Sequence, residues 1–117
     1  MSTQFILSRD INGYNGFGLM FADDKYSVEL DAGVAATFTI PSSHPNWIVI
    51  FSFETGSDIW VASNAAAEVP AGNTIVATTS EHNPVARKVK AGDVLSLITS
   101  DTTAVVGITL YTVSYNM

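Results

Sequence analysis

The chain contains no cysteine. That excludes structural disulfides, thiolate chemistry and the usual cysteine ligands of a zinc ribbon. Charge is scarce as well: Asp, Glu, Lys and Arg make up 14% of the residues, against about 25% in an average soluble domain. Positive charge is scarcest, with five Lys and Arg against eleven Asp and Glu and a formal net charge of −6. A chain so poor in cations lacks the basic footprint that nucleic-acid phosphates require, and it is repelled by an anionic membrane surface. No apolar run reaches the roughly 18 residues of a transmembrane helix. The start, "MSTQFILSRD", has neither the basic n-region nor the apolar core of a signal peptide, so a protein made in the cytoplasm is expected. Helix signals are also few. The small-residue stretch Ala65, Ala66, Ala67 and Glu68 is expected to make one helical turn before Pro70 stops it.

What is present is apolar and β-forming. Hydrophobic residues are 47% of the chain, and this excludes a disordered chain. They occur as short β-branched and aromatic runs separated by Gly, Pro, Asn and Asp, which are strand and turn signals. The pattern predicts strands at 3–7, 17–22, 25–30, 35–40, 46–53, 58–63, 74–79, 86–90, 94–99 and 103–115. In the third, Tyr26, Val28 and Leu30 share a face; in the fourth, Ala36, Phe38 and Ile40 point inward. The run "NWIVIFSF" is apolar on both faces and is expected to be central. The turn "ETGS" is expected to close a hairpin between it and the next strand. Nine or ten short strands, with a turn signal about every eight to twelve residues, predict an all-β fold: an antiparallel β-sandwich, jelly-roll-like. At 117 residues the chain fits a single domain, 1–117, in which residues 1–20 are an extended N-terminal arm or loop.

One corner recurs. Residues 69–80 and 89–100 align without a gap, sharing Val69/Val89, Ala71/Ala91, Gly72/Gly92, Thr79/Thr99 and Ser80/Ser100, and Ala32–Gly33 is a weaker third instance. A local explanation suffices. Glycine takes a positive φ, the next Asn or Asp bonds back to the backbone, and a strand begins. The corner carries no activity, and three uses of it do not make a solenoid.

The search for chemistry returns little. His44 and His82 stand beside prolines in expected loops, without the several ligands at suitable spacing that a metal needs. "GYNGFG" precedes no helix and reads as a loop with aromatic anchors, not a phosphate cradle. Among the carboxylates Asp23, Asp24, Glu29, Asp31, Glu54 and Asp58, the Asp23–Asp24 pair reads as a turn; it is neither a glycosidase pair nor a full calcium loop. No catalytic, cofactor or metal residue is assigned, and the chain is not expected to be an enzyme. Of the aromatics, Trp47 shares a face with Val49, Phe51 and Phe53 and is expected in the core, whereas Trp60 is a candidate for a partner interface or for contact with a glycan, as are Tyr14, Tyr26, Tyr111 and Tyr115 for the glycan. Three of the five basic residues fall at Arg87, Lys88 and Lys90. Alternation in an extended strand sends Arg87 with Val89 one way and Lys88 with Lys90 the other. The lysines either protect a sheet edge or pair with acidic residues of a neighbouring subunit.

The segment "HNPVARKVKAGDVLSLITSDTTAVVGITLY", with "GSDIWVASNAAAEVPAGN" before it, resembles the ends of small virion proteins of tailed bacteriophages, in particular head decoration (cement) proteins. The resemblance covers roughly residues 45–115, and the first 40 residues carry none of it. It implies a structural protein without an active site, a small β-sandwich subunit that binds the outside of the finished capsid as an oligomer and stabilises the shell. The partners it implies are the major capsid protein and further copies of the chain, a homotrimer first and a dimer next. The implied location is the virion exterior. Trp60, Lys88 and Lys90 are the expected interface residues. The alternative is a phage fibre or carbohydrate-binding module using Trp60 or Tyr14.

Overall fold

A computed structural model describes residues 2–9, 11–13 and 15–113, and none of them is helical. Two short strands, β1 (Leu7–Arg9) and β2 (Asn15–Leu19), pair with one another antiparallel. After them come β3 (Asp24–Asp31), β4 (Ala36–Thr39), β5 (Asn46–Phe53), β6 (Ile59–Ser63), β7 (Ser80–His82), β8 (Ala86–Lys90), β9 (Val94–Thr99) and β10 (Thr103–Thr112). These make two antiparallel four-stranded sheets, in the orders β3-β10-β5-β8 and β4-β9-β6-β7.

The pairing is nested. β3 pairs with β10, β4 with β9, β5 with β8 and β6 with β7. The chain from β3 onward is thus one long hairpin whose apex lies between β6 and β7, and successive strand pairs fall alternately into the two sheets. Ladders between β10 and β5 and between β6 and β9 join the pairs within each sheet.

Period-two alternation places the core. Trp47, Val49 and Phe51 of β5 and Ala104, Val106, Ile108 and Leu110 of β10 are buried, facing Ile59 and Val61 of β6 and Leu95 and Leu97 of β9 in a single cluster. Each large side chain removed from water in this way contributes about 1.5–3 kcal/mol. Trp47 is fully buried, as its shared face with Val49 implies, and its indole N–H donates to the carbonyls of Pro41 (3.1 Å) and His44 (3.0 Å). β5 is central in its sheet, and its outward Ile48 and Ile50 are half-buried, which accounts for a strand apolar on both faces.

Several expectations are corrected. The turn after β5 does not close a hairpin with β6. Both edges of β5 are taken by β10 and β8, so residues 54–57 carry the chain across to the other sheet, with Ser57 N–H bonded to the Glu54 carbonyl at 3.0 Å. No strand forms at 74–79, where Ile75 and Val76 are 99% and 70% exposed and have no apolar face to cover. No helical turn forms at 65–68: Asn64 is left-handed (φ 58°), and the N–H groups of Ala67 and Glu68 go to the hydroxyls of Ser96 and Ser80 (both 3.0 Å). "GYNGFG" contributes to β2 instead of a loop, and the strand expected at 17–22 is displaced to Asn15–Leu19. The opening strand starts at Leu7, while Gln4 makes a single parallel bridge to Thr112. The last strand ends at Thr112. Tyr14 and Tyr115 lie outside the described residues.

The recurring corner has the backbone expected of it, with Gly33, Gly72 and Gly92 at φ of 72°, 84° and 84°. At Gly92 the turn joins β8 to β9: Asp93 N–H bonds the Lys90 carbonyl (3.1 Å), and Lys90 N–H bonds the Asp93 carboxylate (2.9 Å). A β-carbon added at Gly92 would meet nothing within 4 Å, so the cost of a side chain there is conformational. Gly92→Ala is expected to lower stability by about 1 kcal/mol in urea denaturation. A loss beyond about 3 kcal/mol would show that packing is involved.

Candidate functional site

Two facing sheets leave two lateral openings, and this molecule treats them differently. Along the β7/β8 side, β8 is an edge strand whose Arg87 lies opposite Val49 and so points between the sheets. β7 places Glu81 opposite Val61, which also points inward. The two side chains meet in a two-pronged pair, with Nη2 2.9 Å from Oε1 and Nε 3.2 Å from Oε2. Beneath them the opening is lined by Val49, Phe51, Val61 and Leu95. The ion pair therefore spans from one sheet to the other over the core. Its hydrogen bond to Arg87, reinforced by the guanidinium charge, holds the Glu81 carboxyl below the usual carboxylate range, and Arg87 is raised in turn. Both side chains are well exposed to solvent, and a pair of this kind contributes at most about 1 kcal/mol.

Lys88 and Lys90 lie opposite Ile48 and Asn46 and project from the outer face of the same sheet. Alternation thus divides the basic cluster as the sequence implied. Trp60 stands between the inward Ile59 and Val61 on the other sheet, so it faces out on the opposite side of the molecule. The three expected interface residues are not brought together.

Among the described residues, no ion pair bridges the β3/β4 side. Tyr26 and Phe38 approach across it, their ring centroids 4.7 Å apart at 49°. An uncharged cleft of about 230 Å³ remains, lined by Tyr26, Val28, Ala36, Phe38, Leu97 and Ile108 together with Ser27 and Thr37.

On the outer face of the second sheet, Trp60 and His82 are cross-strand partners with rings 4.5 Å apart, and His82 Nε2 lies 2.8 Å from Asp58 Oδ1. His82 belongs to β7 and not to a loop, and its acidic partner is Asp58 and not the adjacent Glu81. The sequence held both residues without the cross-strand register that joins them. A His–Asp pair is part of a nucleophile-activating constellation, but among the described residues no hydroxyl is hydrogen-bonded to His82. No group of three or more His, Asp or Glu side chains suited to a metal occurs among them either. His44 is exposed in the loop before β5 and packs edge-on against Trp47. Of the remaining carboxylates, Glu54 accepts the Val105 N–H (3.2 Å), and Asp101 accepts the Asp58 N–H (2.8 Å). These are structural tasks.

Two apolar elements were missed or only outlined. Residues 64–79 fold back over the outer face of the second sheet and cover Ala62. Ser96 and Ser80 hold them there, and Glu68 accepts from the Thr78 hydroxyl (3.0 Å) and the Thr79 N–H (3.3 Å). The tip exposes Ile75 and Val76. The β1–β2 hairpin is fixed at both feet by Tyr111: the Phe5 ring packs edge-on at 5.8 Å, and the Tyr111 hydroxyl donates to the Met20 carbonyl at 2.6 Å.

Because the Glu81 carboxyl is held low in the folded state, the pair's contribution is present above the ordinary carboxylate pKa and is lost as pH falls through the depressed folded value. Glu81→Gln is therefore expected to lower the melting temperature slightly at pH 7, with the difference shrinking as pH falls below the ordinary carboxylate range. A difference that stays constant as the pH is lowered would contradict this origin. No protein-family model matches the chain, and neither a curated protein nor a solved structure does.

Proposed function

We propose that this chain is a structural virion protein that binds the outer capsid surface as an oligomer and stabilises the shell. The observation that carries the reading is where the uncovered apolar surface lies. Ile11, Phe21 and Ile75 are 100%, 95% and 99% exposed, and all three stand on elements outside the paired sheets. Large exposed apolar side chains gathered on extensions are expected of a subunit whose partners cover them. The nested strand order supports the jelly-roll form of the sandwich, a common architecture among capsid proteins. The proposed partners are the major capsid protein and other copies of the chain, a trimer before a dimer, at the virion exterior after synthesis in the host cytoplasm. Binding the assembled shell in preference to its parts stabilises it by mass action.

A carbohydrate-binding or fibre module is the second reading, and the Trp60–His82–Asp58 cluster favours it. A half-buried indole offers a face for a sugar ring, and the neighbouring carboxylate offers an acceptor.

The chain is expected to co-purify with virions at a stoichiometric copy number, and its absence from particles would overturn the first reading. Lys88→Glu combined with Lys90→Glu is expected to weaken attachment to purified expanded capsids at least tenfold while leaving the fold intact. Unchanged attachment would leave the two lysines as edge protection only. A glycan-array signal abolished by Trp60→Ala would instead favour the second reading.

A further inference from the structure

The N-terminal hairpin is an arm held to its own molecule at its feet. β1 and β2 pack chiefly on each other, and Ile6, Leu7, Ile11, Met20 and Phe21 are 55%, 39%, 100%, 59% and 95% exposed. The molecule measures 51 × 29 × 27 Å with a radius of gyration of 15.7 Å, against about 13 Å for a compact domain of this length. The β3/β4 side is the converse: two sheet edges beyond which no strand lies among the described residues and, between them, the uncharged cleft under Tyr26 and Phe38. The arm does not fill its own cleft. Both its feet are held at Tyr111, which lies opposite Ile48 on the outer face of the β3-β10-β5-β8 sheet, whereas the cleft opens between the sheets.

We infer that the arm of one copy lies on the β3/β4 edge of a second copy, adding its backbone to an open sheet edge and its apolar side chains to the cleft. Charge selects this occupant. Residues 2–21 contain one cation, Arg9, and one anion, Asp10, so the rest of the chain carries the whole −6. Two such bodies repel, and the neutral arm and the uncharged cleft are surfaces through which they meet without opposing like charges. Area agrees. At roughly 150–200 Å² for a large apolar side chain, the exposed arm offers on the order of 600 Å², near the 800 Å² or so per partner of a standard interface. In a ring each copy gives one arm and receives one, doubling the contact. Strand addition supplies the affinity through main-chain hydrogen bonds, and the cleft supplies the register.

This deepens the reading of an oligomeric assembly subunit and rests on it, but its test uses the free protein without capsids, so the two fail separately. The cysteine-free chain permits single-cysteine variants Ile11→Cys on the arm and Thr37→Cys on β4. Treated with a short bismaleimide, the mixture is expected to give a crosslinked pair that carries one copy of each variant. In sedimentation velocity, Phe21→Ser and Ala36→Asp are each expected to raise the dissociation constant of the oligomer at least tenfold, with the emission of buried Trp47 unchanged as a fold control. A monomeric parent chain, crosslinks only between Ile11→Cys copies, or an oligomer indifferent to both substitutions would overturn the inference. So would arm variants that keep the oligomer but lose capsids or zwitterionic vesicles, because the arm would then serve a different partner.

Discussion

Burial of one apolar face of each sheet against the other is the interaction on which the rest of this structure depends. The chain has no disulfide, and no described residue is helical. Its stability therefore comes from the layer of Trp47, Val49, Val106, Leu110, Ile59 and Leu97 between the sheets and from the ladders that align those side chains. Nested pairing makes this layer a late product of the chain. Asp24 pairs with Leu110, and Asp31 with Thr103. The strand pair that covers one side of the core thus requires contacts between the two ends of the folded segment, and such distant pairings carry the largest loop-closure cost.

A two-layer core needs its sides closed, and here the two sides use different chemistry. Arg87 and Glu81 close one with charge, and Tyr26 and Phe38 narrow the other with aromatic rings. The ion pair adds little to stability because it is exposed. What it does is place two solvated groups over the opening that Val49 and Phe51 line. It also explains why three neighbouring cations do not act as one patch: Arg87 is committed to the seam within the molecule, while Lys88 and Lys90 face away from it.

Where the sequence was legible, local pattern and tertiary environment agreed. β5, β8 and β9 fall where alternation and turn residues put them, and the positive φ of Gly92 follows from the corner "AGD". Where it was not, a side chain or a sheet edge overrode local propensity. "TIVATT" has the composition of a strand, but Glu68 takes its Thr78 hydroxyl and Thr79 N–H, and no free edge receives the rest. "AAAE" has helical composition, but two serines from distant strands claim its N–H groups. The Trp60–His82–Asp58 cluster depends on the β6–β7 register across sixteen intervening residues (64–79), which a single sequence does not display. The arm was foreseen only as an extension; its strand pairing was hidden because "NGYNG" reads as loop.

The four sheet edges are unequal, and the difference bears on assembly. β7 is three residues long and β4 four, too short to template another chain, and β8 bears lysines. β3 is eight residues long, and its charged Lys25, Glu29 and Asp31 alternate with the inward Tyr26, Val28 and Leu30 and project from the outer face; Asp24, at the start of the strand and opposite Leu110, shares the inward phase but lies outside the lining of the cleft, which holds no charged side chain. A monomer carrying such an edge, and an apolar arm besides, has a donor and an acceptor for uncontrolled strand addition. If each satisfies the other in a closed ring, the feature that would make the isolated chain prone to aggregate is the one that limits its assembly to a defined number of copies.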